Sequence, residues 1–416
     1  MPPIRIPRSV RIIGTGITPL NPRTTANPVS PTLLMQQALR FALDNAGVRL
    51  KDLNGLIAVP SLADTHFMEA HYLATQIGML PGKSKIVRTM DTGGAGPVTG
   101  LLEAKRMIMH EGADLVAVVA GDAVKNLSGE EFLKRADQTC AHPAAELPSP
   151  VIPNGYDRVA RYQMKNFGIT REQLASCSAL MSIMASRHPS ALTKTPRTIE
   201  QIVNSRHVAP VTSVLECARR ADGGAAILLA SSNFLEKHNL PRDMGVVVAG
   251  GGEASGPLFP PKDINHMSEE MFSCEEAAGV AYDEAQVGPS EIDFFGLYDC
   301  FPICLIRAVE AVGLAPKGHG GAFVEERYHQ IVAGLARDPD GFKPQDLFPI
   351  NTHGGLLAFG APWEVPAMYN IVEAFAQLTH TAGPARQVRN ARRALVYGNG
   401  GIFSASAIAI LHRRRE

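Results

Sequence analysis

The chain reads as an α/β protein made of two similar halves, with helices covering sheets of buried strands. Three observations predict this. A helix, an acidic turn and a short strand follow one another twice. Each half carries an apolar strand beside glycine-rich sequence, and each half closes on an unbroken apolar run.

The first copy of the repeated unit has apolar residues at helical spacing from Leu33 to Ala46, stopped by Gly47. Lys51-Asp52-Leu53-Asn54 then leads into Gly55-Leu56-Ile57-Ala58-Val59. In the second copy, the helix runs from Cys274 to Ala285. Ser290-Glu291-Ile292-Asp293 follows, leading into Phe294-Phe295-Gly296-Leu297. An apolar period near 3.6 marks a helix, and a short apolar run bounded by turn residues marks a strand. Asp114 to Gly121 and Arg393 to Gly398 are the strands beside glycine-rich sequence. The closing runs, Ala225 to Ala230 and Ala405 to Leu411, do not alternate with polar residues, as suits strands covered on both faces. Strands alternating with helices give an α/β architecture.

The seam falls at Asn239-Leu240-Pro241-Arg242-Asp243, giving halves of 1–243 and 244–416. The stretch from about 125 to 210 breaks the pattern, being polar and rich in Pro and Met, with a helical piece near Gln173 to Arg187. It reads either as an insertion that shapes a substrate pocket or as inert decoration. Ala336 to Pro344 reads as a surface loop.

Composition narrows the function classes. Of 416 residues, 45% are apolar and 19% charged, as in a well-buried globular chain. Forty basic residues balance forty acidic ones, so no net charge favours nucleic acid or an anionic membrane. The six cysteines are scattered without CxxC pairs, which predicts reduced thiols and no metal cluster. Met1-Pro2-Pro3-Ile4-Arg5 has no apolar leader core, and no run of about 18 apolar residues occurs. A soluble, cytoplasmic protein without a membrane span is expected.

Two segments carry the chemistry. One is Asp91-Thr92-Gly93-Gly94-Ala95-Gly96-Pro97, before an apolar stretch from Leu101 to Ile108. The other is Asn351-Thr352-His353-Gly354-Gly355, followed by Phe359-Gly360-Ala361-Pro362. Four further pieces flank them in order: Arg11 to Gly16, Asp222 to Ala226, Tyr298-Asp299-Cys300-Phe301, and Tyr397 to Gly401. Together they resemble the thiolase superfamily across nearly the whole chain. The resemblance implies two βαβαβαββ halves in a five-layered αβαβα core, a homodimer, and an acyl-CoA thioester as substrate. Coenzyme A would then be part of the substrate, with no cofactor bound covalently.

The resemblance also implies positions for covalent catalysts, and this chain departs from them. Gly94 stands for the nucleophilic cysteine, Tyr298 for a box histidine and Ala361 for the Gly-His-Pro histidine; Asn399 lies near the last cysteine's place. Glycine has no side chain with which to form an acyl-enzyme. The chain resembles a branch of sterol-carrier-protein-X thiolase-like, or lipid-transfer, proteins that lacks the cysteine. Some members of that branch resemble retro-aldolases acting on β-hydroxyacyl-CoA, often with a small zinc-ribbon/OB-fold (DUF35-type) partner.

Retro-aldol cleavage needs a base at the β-hydroxyl, donors for the thioester oxygen and an acid at the α-carbon. Tyr298 is expected to transfer the proton, with neighbours tuning a phenol that is otherwise a poor base. Asp299, its neighbour on a strand, would point to the opposite face and orient a loop or share the chemistry. His353 would polarise the enolate, relay a proton or cap a helix. Gly93 and Gly94, at a helix start, and Asn399 and Gly400, in the last turn, offer backbone donors or tight packing. Asn351 is an oxyanion donor or, more simply, a turn-former. Trp363 walls an acyl pocket or packs under its loop, and Glu364 is a substitute acid or base. Two other readings stand beside the lyase. One is a non-catalytic acyl-CoA or lipid binder or scaffold; the other is a Claisen-type acyltransferase using Cys300 or Cys304.

Overall fold

The computed structural model describes residues 9–21, 28–140 and 147–413; Met1 to Arg5, read above for a leader, lie outside them. The strands are β1 (Val10–Ile17), β2 (Gly55–Ala58), β3 (Ile86–Thr89), β4 (Leu115–Ala123), β5 (His207–Ala209) and β6 (Thr212–Ser213). They continue as β7 (Asp222–Ser231), β8 (Val246–Ser255), β9 (Phe294–Gly296), β10 (Arg393–Gly400) and β11 (Ala405–His412). The helices are α1 (Pro31–Ala46), α2 (Glu69–Gln76), α3 (Gly96–His110), α4 (Gly129–Cys140), α5 (Val151–Phe167), α6 (Arg171–Ser186) and α7 (Ile199–Val203). After them come α8 (Ser232–Lys237), α9 (Cys274–Ala285), α10 (Pro302–Ala311), α11 (Gly320–Arg337), α12 (Pro344–Leu347) and α13 (Pro366–Thr379).

Nine strands form one sheet in the order β3-β2-β4-β7-β1-β8-β11-β10-β9. That order contains the same half-sheet twice. In the first, β2 lies parallel between β3 and β4, and β7 lies antiparallel between β4 and β1. In the second, β9 lies parallel to β10, and β11 lies antiparallel between β10 and β8. Ile350 pairs with Phe295 where the first half has β3. The two half-sheets join through a short contact, Arg11 with Val247 and Ile12 with Val246.

Helices α3 and α13 pack on one another and touch strands of both halves, while α1 covers the first half-sheet and α9 the second. Alternate residues divide accordingly: Ile12 and Ile57 join the core around α3, and Ile13 and Leu56 join the core under α1. The layers therefore run helix, sheet, helix, sheet, helix, as expected.

The same local devices build both halves. Ser30 caps α1 by accepting from Leu33 N, Pro31 starts it, and Gly47 ends it in the left-handed region. Gly16 lets β1 touch α1: a Cβ there would stand 2.1 Å from the Ala38 carbonyl. Gly252 does the same for β8 on α9, at 2.0 Å from the Ala277 carbonyl. Asn54 Oδ1 accepts from Asp114 N and Leu115 N as β4 begins; Asp293 Oδ2 accepts from Arg392 N and Arg393 N as β10 begins.

The irregular stretch between β4 and β7 folds as α4 to α7 and the β5–β6 hairpin. Buried Asp157 of α5 anchors the hairpin by accepting from Val211 N at 2.7 Å and Thr212 Oγ1 at 3.0 Å. Arg171 of α6 forks onto Glu216 with two bonds of 2.9 Å. Of Ala336 to Pro344, expected as a surface loop, residues 338–343 carry no helix or strand, whereas Ala336 and Arg337 end α11 and Pro344 starts α12.

Candidate active site

A cavity of about 700 Å³ opens where the start of α3, the turn after β10, the loop after β9 and helices α4 and α5 converge. Seven of the ten candidate residues line it: Gly93, Gly94, Tyr298, Trp363, Glu364, Asn399 and Gly400. Asp299, His353 and Asn351 do not.

Strand β9 stops at Gly296, so Tyr298 and Asp299 sit in the loop before α10 and not on a strand as expected. The two still diverge. Tyr298 is buried against the cavity wall. A Cβ on Gly94 would lie 2.1 Å from the Tyr298 hydroxyl and 2.5 Å from the Asn399 carbonyl. The phenolic oxygen thus occupies the space that a side chain at position 94 would need. The glycines also pack backbone on backbone: a Cβ on Gly400 would stand 1.9 Å from Thr92 O, and one on Gly93 3.0 Å from Gly401 N.

Burial, and after it Cys300 and Glu364, push the Tyr298 phenol well above its ordinary value. The sequence expectation needed neighbours that lower it toward neutrality; the surroundings do the opposite. Resting Tyr298 is an O–H donor.

Glu364 supplies the complementary group. The residue is mostly buried, and its Oε2 is buried without a hydrogen-bond partner among the described residues. Burial, followed by Asp91 and Asp122, raises the carboxyl to about 8. Trp363 is held with φ at 47° and meets Phe132 of α4 edge-on, ring centres 6.0 Å apart. Arg220 covers the Phe132 face at 4.7 Å, so α4 closes one wall.

The three absent candidates have structural work. Asp299 Oδ1 accepts from Leu356 N at 2.7 Å, bracing the π turn Gly355–Phe359. Burial raises its carboxyl to about 7. Asn351 joins its loop to Leu297, donating to O at 2.7 Å and accepting from N at 2.8 Å. It therefore seats the residue before Tyr298 and does not line the cavity. His353 is buried with its ring edge-on to Phe359 at 5.2 Å, and burial lowers it to about 4. It is a buried histidine that does not line the cavity. Cys300 lines the cavity, with its Sγ 3.6 Å from Cys304 Sγ; burial pushes the Cys304 thiol up, away from a reactive thiolate.

Two contributors had no mark in the sequence. Tyr156 of α5 lines the cavity and stacks on Phe301, ring centres 4.8 Å apart. Asp122 accepts from Ser61 Oγ, Leu62 N and Ala63 N, fixing the rim loop around Ser61 and Leu62. Both act across long sequence separations that periodicity does not register. Among the described residues no cluster of ligating side chains could hold a metal ion, and no helix is long and apolar enough to cross a membrane.

Comparison with known proteins agrees with this geometry. A family model described as thiolase C-terminal domain-like matches residues 262–413. An acetyl-CoA acetyltransferase of Methanothermobacter thermautotrophicus is 29% identical over 375 residues, covering 89% of this chain and 92% of that protein. Over most of its length the chain is similar to proteins of the thiolase superfamily. Sterol carrier protein 2 of Bos taurus is 30% identical to this chain over 264 residues, which are 63% of the chain but only 46% of that longer protein. Among solved structures, an Ltp2–ChsH2(DUF35) aldolase superposes with a TM-score of 0.77 at 21% identity, covering 99% of both chains. Acat5 thiolase of Ascaris suum, solved with coenzyme A, superposes at 0.66 and 14% identity, over 98% of this chain and all of that one. The thiolase fold is thus shared far beyond detectable sequence likeness.

Proposed function

We propose that this thiolase-like protein cleaves a β-hydroxyacyl-CoA thioester by a retro-aldol reaction, without an acyl-enzyme. The observation that carries the reading is the Tyr298 hydroxyl in the space of the missing Gly94 side chain. A proton donor stands where a nucleophile would have to stand. The Glu364 carboxylate takes the β-hydroxyl proton, the oxygen electrons form the new carbonyl, and the Cα–Cβ bond breaks. Its electron pair forms the thioester enolate, and the Tyr298 O–H protonates the α-carbon. An aldehyde or ketone and a shortened acyl-CoA leave; solvent returns a proton to the Tyr298 phenolate and takes the one held by Glu364. A base with a value of about 8 is partly ionised at neutral pH, as proton transfer requires.

The test is product analysis on a panel of β-hydroxyacyl-CoA thioesters with intact-mass measurement of the protein. A carbonyl product plus shortened acyl-CoA, no protein adduct, and loss of turnover on the order of 100-fold in Tyr298→Phe are expected. Full turnover in that variant sinks the mechanism. Binding without bond cleavage across the panel leaves an acyl-CoA or lipid binder, and an adduct on Cys300 returns the acyltransferase reading. The fold likeness to the Ltp2–ChsH2(DUF35) aldolase supports a small zinc-ribbon/OB-fold partner, and the thiolase fold supports a homodimer. Sedimentation of the chain alone and with such a partner checks both.

A further inference from the structure

The hydrogen-bond polarity around Tyr156 leaves one acceptor in the cavity without a donor. The Tyr156 hydroxyl donates to the Gly401 carbonyl. A carbonyl can only accept, so the single phenolic hydrogen is committed there. The second contact of that hydroxyl is to Asn399, at 2.9 Å, and it must be donated by Asn399 Nδ2. This fixes the amide orientation, which an isolated Asn side chain leaves open. Asn399 Oδ1 therefore points away from Tyr156. It is buried, in a residue only 1% exposed, and finds no partner among the described residues. Asn399 also lines the cavity. A buried acceptor without a donor is costly, and one in a residue that lines a cavity is available to a donor on the ligand.

We propose that Asn399 Oδ1 is a specificity-determining acceptor, locked in place by Tyr156, for a hydrogen-bond donor carried by the substrate. The inference rests on the reading that the cavity takes a CoA thioester. Such a thioester brings two kinds of donor. One is the β-hydroxyl, which can swing its hydrogen from Asn399 to Glu364 by rotating about its C–O bond. The other is an amide N–H of the pantetheine arm. A site built around a buried acceptor rejects ligands that lack the donor much more strongly than an apolar pocket rejects a change of size.

The experiment measures equilibrium binding of non-cleavable CoA thioethers by calorimetry. The probes are a β-hydroxyalkyl thioether, its deoxy counterpart, and the hydroxyalkyl thioether with the cysteamine amide replaced by an ester. The wild type should bind the first more tightly than one of the others by on the order of 10- to 100-fold, and the weakened probe names the donor. Asn399→Leu should bind all three alike. Tyr156→Phe keeps the ring that stacks on Phe301 but frees the amide to rotate. It should lose discrimination between the probes, and a circular-dichroism spectrum and melting temperature close to the wild type's separate lost polarity from misfolding. Equal binding of the three probes by the wild type, or discrimination that survives Asn399→Leu, overturns the proposal. If no probe binds at all, the CoA-thioester reading itself falls.

Discussion

Gly94→Ala is the substitution that most directly probes the contact at the centre of the site. The added Cβ would stand 2.1 Å from the Tyr298 hydroxyl, 2.4 Å from its Cζ and 2.5 Å from the Asn399 carbonyl, where ordinary contact begins at 3.4 Å. The phenol must withdraw by more than an ångström, or the turn must shift. Overpacking of this kind costs about 1–3 kcal/mol, and a reacting group misplaced by about 1 Å loses about 100-fold in rate. Tyr298→Ala removes two of the three close contacts and leaves only the Asn399 carbonyl. The stability cost of Gly94→Ala should therefore shrink by about 1 kcal/mol or more in the Tyr298→Ala background. Urea-unfolding midpoints of the wild type, both single variants and the double variant measure that coupling. Turnover of Gly94→Ala measures the displacement. Costs equal within about 0.5 kcal/mol in the two backgrounds would refute the claim that the Tyr298 hydroxyl fills the side-chain space of residue 94. Turnover within about threefold of wild type would refute its catalytic placement.

Four further outcomes follow from the same geometry. With Glu364 raised to about 8, turnover should climb with pH up to about that value, because the carboxylate is the working form; Glu364→Gln should be slow and flat across the same range. Burial raises Asp299 from 3.8 to about 7, so the folded state favours its protonated form. Its contribution to stability is full below the unfolded value and fades as pH rises through about 7. Wild type should lose up to about 1.4 kcal/mol per pH unit against Asp299→Asn within that window, and identical pH dependence of the two proteins speaks against it. Asn351→Ala removes both bonds to Leu297 at a backbone with φ of 45°. It should cost on the order of 2–4 kcal/mol by thermal unfolding, whereas His353→Asn, away from the cavity, should keep turnover within about threefold of wild type.

Much of the fold was legible in the residues. The helix from Leu33 to Ala46 is the observed α1 less its first two residues, Pro31 and Thr32. The helix from Cys274 to Ala285 matches α9. The apolar runs at 225–230 and 405–411 fall inside β7 and β11. These features are local, since caps and apolar spacing act within a few residues. The repeat went deeper than its helices and strands: the Gly14–Gly16 and Gly250–Gly252 pairs, each against a helix with alanine every fourth residue, were also there to be read.

The site was legible in part. Resemblance brought together Gly94, Tyr298 and Asn399, which the structure places around one point. It also proposed His353 and Asp299, which the fold turns into the core. A motif states which residues are near; it does not state where their side chains point. Strand β9 ends at Gly296, two residues before Tyr298, so the alternation argument for Tyr298 and Asp299 had no strand to act on.

The sequence by itself determined the two-half α/β architecture, the glycine-lined turns and the absence of a nucleophile at position 94, because each follows from residue identity and short-range spacing. The tertiary structure decided what those residues can do. The protonated state of Tyr298 comes from burial among segments distant in the chain. The orientation of Asn399 is fixed by Tyr156, 243 residues away. Electrostatics and hydrogen-bond polarity depend on which groups are brought within a few ångströms, and that is set only when the halves and the inserted helices close around the cavity.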